Sequence, residues 1–172
     1  MGIKNLTEAE EKEFYRLVGK MNGKETDKEQ DVKVRKPEYG DTIYYINHIG
    51  KIRKTTWIGD EDDIEMWKLG NGFFTEEEAE FAREKRRVKV ELKRYALEHN
   101  DPEKEAWNLK NSHFGLVLKH DTKDIGQTDL RIFQDESVTC FTSASIARDA
   151  IGAVGRDRIL KYIFGVESEG KE

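Results

Sequence analysis

The period of the apolar positions changes along the chain. Phe14, Leu17, Val18 and Met21 recur at i, i+3, i+4, i+7, the spacing of one helix face. Thr7 with Glu10 three residues on forms a capping box at its start, and Asn22-Gly23 is an ordinary stop. A helical arm is therefore expected over 1–23. The stretch that follows is almost wholly polar, from Lys24 through Asp31, and reads as a linker over 24–38. The short apolar stripe of the arm must pack on something: the rest of the chain, a second copy in a homodimer, or another partner.

After the linker the pattern turns to β. Residues 42–48 are rich in β-branched and aromatic side chains, and 51–57 alternate after an Ile49-Gly50 turn. An acidic loop, Gly59 to Asp63, follows, and 64–69 reads as a third strand closed by Gly70-Asn71-Gly72. A long helix is expected over about 76–98, burying Phe81, Val88, Leu92 and Tyr95 on one stripe. Farther on, 112–120, 127–133 and 138–141 read as strands. A second helix is expected over about 144–163, with a break near Gly155.

These two stretches look like two copies of one unit. At an offset of 68 residues Phe73 matches Phe141, Thr75 matches Ser143, Ala79 matches Ala147 and Ala82 matches Ala150. In each, an aromatic strand ends, a hydroxyl residue caps a helix, and small alanines let the helix lie close to a sheet. Asn100-Asp101-Pro102 marks the junction. The expected fold class is α+β: an N-terminal helix, then two βββα units over 39–100 and 101–167, packed as a pseudo-twofold pair. The tail over 168–172 is polar and expected to fray.

Composition narrows the class. In 172 residues, 38% are charged and 36% hydrophobic, with a net charge of -5. The single cysteine forbids an internal disulfide and cannot build a zinc-finger cluster. No apolar run approaches the roughly 18 residues of a membrane helix. The opening residues carry no apolar leader core, so no signal peptide and no membrane association are expected.

Three strings carry a resemblance: Gly40-Asp41-Thr42-Ile43-Tyr44-Tyr45-Ile46-Asn47, Gly70-Asn71-Gly72-Phe73-Phe74-Thr75-Glu76-Glu77-Glu78-Ala79-Glu80-Phe81-Ala82, and the run from Ala153 to Phe164. Over roughly 39–164 the chain resembles small accessory proteins of phages and prophages of Gram-positive (Firmicutes) bacteria. That group carries no established catalytic residues, so no residue role transfers. The resemblance implies a setting, the cytoplasm of a bacterial host. There, many such proteins disable host defence machinery, CRISPR nucleases included.

Candidate chemistry is sparse. His48, His99, His113 and His120 show no paired metal-ligand spacing, and no metal or cofactor is expected. Cys140, beside Phe141 in an expected strand, reads as a buried, inert thiol. There is no phosphate loop, dinucleotide fingerprint or nucleophile elbow, and catalysis is not expected. Two charged patches remain. Asp60, Glu61, Asp62, Asp63 and Glu65 lack calcium-loop spacing and read as a solvated loop or a contact for a basic partner surface. Tyr44 and Tyr45 must point to opposite faces of their strand, so one can join that contact. The expected partner is a host protein, with a defence nuclease complex as the leading class. The other patch is Arg83, Arg86, Arg87 and Lys93 on the first long helix. The helix dipole accounts for much of that pattern, and nucleic-acid contact is the alternative.

Overall fold

The computed structural model describes residues 35–132, 134–135 and 137–167. The arm expected over 1–23, most of the linker, and the tail from 168 lie outside the described residues. The chain divides into one unit up to Pro37 and a second from Glu38 on, and every element below belongs to the second. Its class is α+β, with four helices and two small antiparallel sheets.

The first sheet begins as the hairpin β1 (Thr42–Ile46) and β2 (Ile52–Thr56), in register from Thr42 against Thr56 to Ile46 against Ile52. Asn47 closes the turn, its Oδ1 accepting from the N–H groups of Ile49 (3.1 Å) and Lys51 (2.9 Å). The third strand is not 64–69. That segment lies in helix α1 (Glu61–Lys68), and β3 is the short Gly72–Phe73, paired antiparallel with β1. On paper Ile64 and Met66 alternate as in a strand, while Ile64 and Trp67 stand at i, i+3 as in a helix. The caps decide between them: Asp60 accepts from the Asp63 N–H, and three acids occupy the first turn, where the helix dipole favours negative charge. The inward positions Asp63, Met66 and Trp67 then fall at i, i+3, i+4.

The sheet order is β2-β1-β3. Asn71 lengthens the β3 side of the ladder, donating to the Ile46 carbonyl (2.9 Å) and accepting from the Ile46 N–H (3.4 Å). Trp67 lies so close over Gly72 that a Cβ there would sit 3.0 Å from its ring. Trp67 also meets Trp57 and Phe74 edge-on, at ring separations of 6.3 and 5.6 Å, which pins α1 to the sheet.

Helix α2 (Glu76–His99) opens with a complete capping box, Thr75 accepting from the Glu78 N–H while Glu78 accepts from the N–H groups of Thr75 and Phe74. It packs on β1, β2 and β3, and also on α3 (Ala144–Val154) and α4 (Arg156–Phe164). The buried face changes along it. Ala79 and Val88 are both fully buried, yet at about 3.6 residues per turn they point to opposite sides. Phe81 is not in the core as its spacing suggests. It is 38% exposed and leans on Tyr162 of α4, ring centroids 5.3 Å apart.

The second sheet pairs β4 (Phe114–Lys119) with β5 (Asp124–Asp129). Strand β5 therefore starts earlier than the 127 expected, and it ends at Asp129. The strand expected over 138–141 shrinks to one bridge, in which Phe114 and Phe141 exchange backbone hydrogen bonds of 2.8 and 2.9 Å. Ser143 caps α3 by accepting from the Ile146 N–H. The expected long second helix is two helices. Gly155 has φ +101°, a conformation nearly closed to other residues, and it separates α3 from α4.

The main core is built from Val88, Leu92 and Ala96 of α2, Ile125 of β5, Phe141, Ala147, Ala150 and Val154 of α3, and Ile159 and Leu160 of α4. Each large side chain buried there contributes about 1.5–3 kcal/mol of transfer free energy. Asn100 fastens the end of α2 to the segment before α3. It donates to the Cys140 carbonyl (3.1 Å) and accepts from the Thr142 N–H (3.0 Å).

Candidate functional site

The acidic stretch is a helix start and not a hairpin loop, which divides its carboxylates by role. Asp60 is the N-cap. Asp63 is buried and accepts from the N–H groups of Ile58 (2.8 Å) and Gly59 (3.0 Å), holding the chain that leads into α1. Asp63 is thus withdrawn from the surface, while Asp60 is exposed and holds the helix start. Glu61 and Asp62 face solvent, as does Glu65, which pairs with Lys68 at 2.6 Å. Around them stand Ile58, Ile64 and Leu69, exposed at 54%, 41% and 77%. Those neighbours could not be found while 64–69 was read as a strand. At helical spacing Glu61, Glu65 and Leu69 share one side of α1, with Ile64 and Asp62 flanking it.

Tyr44 and Tyr45 lie on opposite faces of β1, both half-buried. Tyr44 stands opposite Lys54 on one side and Phe73 on the other. It lines an open depression of about 370 Å³ with Ile52, Arg53, Lys54 and Glu76. No residue of α1 belongs to that lining. Tyr45 stands opposite Arg53 and Gly72.

The basic residues of α2 also separate. Arg83 and Arg87 both reach Glu84, at 3.3 and 2.7 Å. Arg86 donates to the Gly70 carbonyl (3.3 Å) and to Asn71 Oδ1 (3.2 Å), tying α2 to the chain before β3. Lys93 is exposed, as are Lys89 and Arg94, which the sequence reading did not single out for binding. Arg86, Arg87, Val90, Glu91 and Arg94 line a depression of about 240 Å³. Glu91 would weaken its positive character, but both its carboxylate oxygens are held by Arg158 of α4, at 2.6 and 3.0 Å. That contact holds the Glu91 carboxyl below the usual glutamate range.

The remaining reactive side chains are Cys140 and the histidines, of which buried His113 leaves its Nδ1 without a hydrogen-bond partner. Cys140 is half-buried, its thiol 3.6 Å from the Val138 carbonyl. Burial and the nearby Asp135 push that thiol above its ordinary range, which disfavours the nucleophilic thiolate. His113 is buried and stacked on Trp107 at 3.9 Å, its Nε2 3.2 Å from the Glu105 carbonyl. His99 stacks on Tyr95, and His48 and His120 are exposed. Among the described residues no group of three or more His, Cys, Asp or Glu is placed to hold a metal ion. No described helix is long and apolar enough to cross a membrane.

Compared with known proteins, the chain matches no family model, no curated protein and no solved structure.

Proposed function

We propose that this chain is a non-catalytic binding protein that engages a host protein through the outer face of α1. One observation carries the proposal: Ile58, Ile64 and Leu69 stand exposed beside Glu61, Asp62 and Glu65. Large apolar side chains beside acidic groups, here Glu61 and Asp62 with Glu65 paired to Lys68, are the material of an interface with a basic partner. The phage resemblance makes that partner a host factor in the bacterial cytoplasm. A defence nuclease fits the charge, because the groove that holds its nucleic acid must be basic.

The test is an affinity pull-down from a Gram-positive host lysate with and without nuclease treatment. One stoichiometric protein that survives nuclease treatment is expected. The variants Ile64→Ser/Leu69→Ser and Glu61→Lys/Asp62→Lys should lose it while keeping the wild-type circular dichroism. Retention by both folded variants overturns the proposal. Asp60 and Asp63 are left intact, because they hold the helix start.

A second reading is favoured by the α2 depression, where Arg86, Arg87 and Arg94 converge and Glu91 is neutralised by Arg158. Arg83 and Lys93 lie outside its lining. A nucleic-acid backbone seated there must weaken steeply as salt rises. No retardation of DNA or RNA at low salt removes this alternative.

We also infer that the two halves are variants of one unit. Phe73 and Phe141 each stand two residues before the helix-capping hydroxyl, and each pairs with the first strand of its own half. Pairing of two chains through residues 1–23 is read directly by size-exclusion chromatography with light scattering.

A further inference from the structure

Strand β2 is the outer strand of the first sheet, and among the described residues no strand pairs with its far side. Which of its backbone groups face outward follows from the hairpin register. Asn47 donates to the Lys51 carbonyl (2.9 Å) and Trp57 to the Asp41 carbonyl (2.8 Å). In an antiparallel ladder, hydrogen-bonded and non-bonded pairs alternate. Arg53 and Thr55 therefore turn their backbone toward β1, and Ile52, Lys54 and Thr56 turn theirs away. Three consecutive outward rungs are the template on which an extended segment pairs.

The side chains say what kind of segment. Lys51, Arg53 and Lys54 are exposed and make no ion pair among the described residues. Two copies of this chain meeting edge to edge would set these cations against each other, and like charges directly opposite destabilise a strand pair. The charge that blocks self-pairing attracts a segment of opposite sign. The adjoining depression is walled by Tyr44, Ile52, Arg53, Lys54 and Glu76; its Tyr44 and Ile52 side offers apolar surface to every second residue of an added strand, and Glu76 disfavours an acid there.

We propose that the edge of β2 binds an extended acidic segment of a partner protein by strand addition, with acidic residues on the face of Lys51 and Arg53 and alternate apolar residues on the face of Tyr44, Ile52 and the aliphatic stem of Lys54. This site is separate from the α1 face, so either can fail without the other.

The probe is a short fluorescein-labelled peptide alternating Glu and Val, read by fluorescence anisotropy against the full chain. Saturable binding is expected, with no binding of the matching Lys-Val peptide. Lys54→Pro removes one outward N–H and leaves the rungs to β1 intact, since proline is tolerated at an outward edge position. It should weaken binding by about tenfold. The triple variant Lys51→Glu/Arg53→Glu/Lys54→Glu should reverse the preference toward the Lys-Val peptide. If Lys54→Pro does not fold, a Glu-Val peptide N-methylated at every residue makes the same test on the unaltered protein and should not bind. Absence of saturable binding overturns the proposal. So does equal binding by the folded Lys54→Pro variant or by the N-methylated peptide, which would mean that charge alone holds the peptide.

Discussion

Arg158 of α4 grips Glu91 of α2 with both ends of its guanidinium, Nη1 at 2.6 Å from Oε2 and Nη2 at 3.0 Å from Oε1. The same Nη1 donates to the Val154 carbonyl (3.0 Å), so one side chain joins α2, the end of α3 and α4. Arg158 is the main cause of the lowered Glu91 pKa. A carboxylate held below its unfolded value stabilises the fold above that value, and the contribution is lost as pH falls through the folded one. Stability should therefore drop on the acid side, below the ordinary glutamate range. Both side chains are about 40% exposed, so solvent screening limits the pair to about 0.5–1 kcal/mol. Glu91→Gln should flatten the acid limb of a urea-midpoint-against-pH curve. An unchanged limb would place the acid sensitivity elsewhere.

Asp63 and Asp62 are adjacent carboxylates with opposite expected outcomes. Asp63→Ala leaves the N–H groups of Ile58 and Gly59 without their acceptor at a part-buried site, at a cost of about 2–3 kcal/mol. Asp62→Ala removes only a first-turn charge on an exposed residue, worth about 0.3–1 kcal/mol. Chemical denaturation of both variants measures the difference. Equal losses would mean that the Asp63 hydrogen bonds do not hold the entry to α1.

Two glycines in one stretch should respond with opposite sign. Gly152 lies inside α3 and a Cβ added there meets nothing within 4 Å, so Gly152→Ala should stabilise by about 0.5–1 kcal/mol. Gly155 holds φ +101°, so Gly155→Ala should destabilise by about 1–3 kcal/mol. Thermal melts of the two variants should move in opposite directions. A gain from Gly155→Ala would show that the break between α3 and α4 is not required.

Cys140 should be a slow thiol. With its pKa raised by burial and by Asp135, the thiolate fraction near neutral pH is small. Alkylation by iodoacetamide should be slower than that of a free thiol, with a midpoint displaced to higher pH. Cys140→Ala should bind any partner as the wild type does. Rapid alkylation at neutral pH would call for an activating group near the sulfur.

Much of this fold was legible in the sequence because its signals are local. Thr75 with Glu78, and Ser143 before Ala144, announce their helices whatever surrounds them. The turn at Ile49-Gly50 and the break at Gly155 belong to the same class. The helix α1 was not legible in periodicity, because Ile64 and Met66 alternate as in a strand while Ile64 and Trp67 stand at helical spacing. The deciding signal was the acidic pair Asp60 and Asp63, which shares the spacing of Thr7 and Glu10. The candidate sites were legible in charge but not in role. Charge alone does not distinguish Asp63, buried against two backbone donors, from Asp62, one position earlier in water; only the spacing of Asp63 from Asp60 does. The Glu91 contact with Arg158 spans 67 positions, beyond the reach of any local pattern.

Helix α2 buries Ala79 on one side and Val88, Leu92 and Ala96 on another, in contact with both sheets' halves of the fold. One helix is therefore a wall shared by β1, β2 and β3 on one side and by α3 and α4 on the other. A chain ending after Asn100 would keep the whole helix and leave three core residues facing water. A chain starting at Asp101 would keep α3 and α4 without the surface they close on. If these halves descend from one ancestral unit, that unit had to find this wall in a second copy of itself. Fusion of the two would have made a permanent bond of what had been an encounter between molecules.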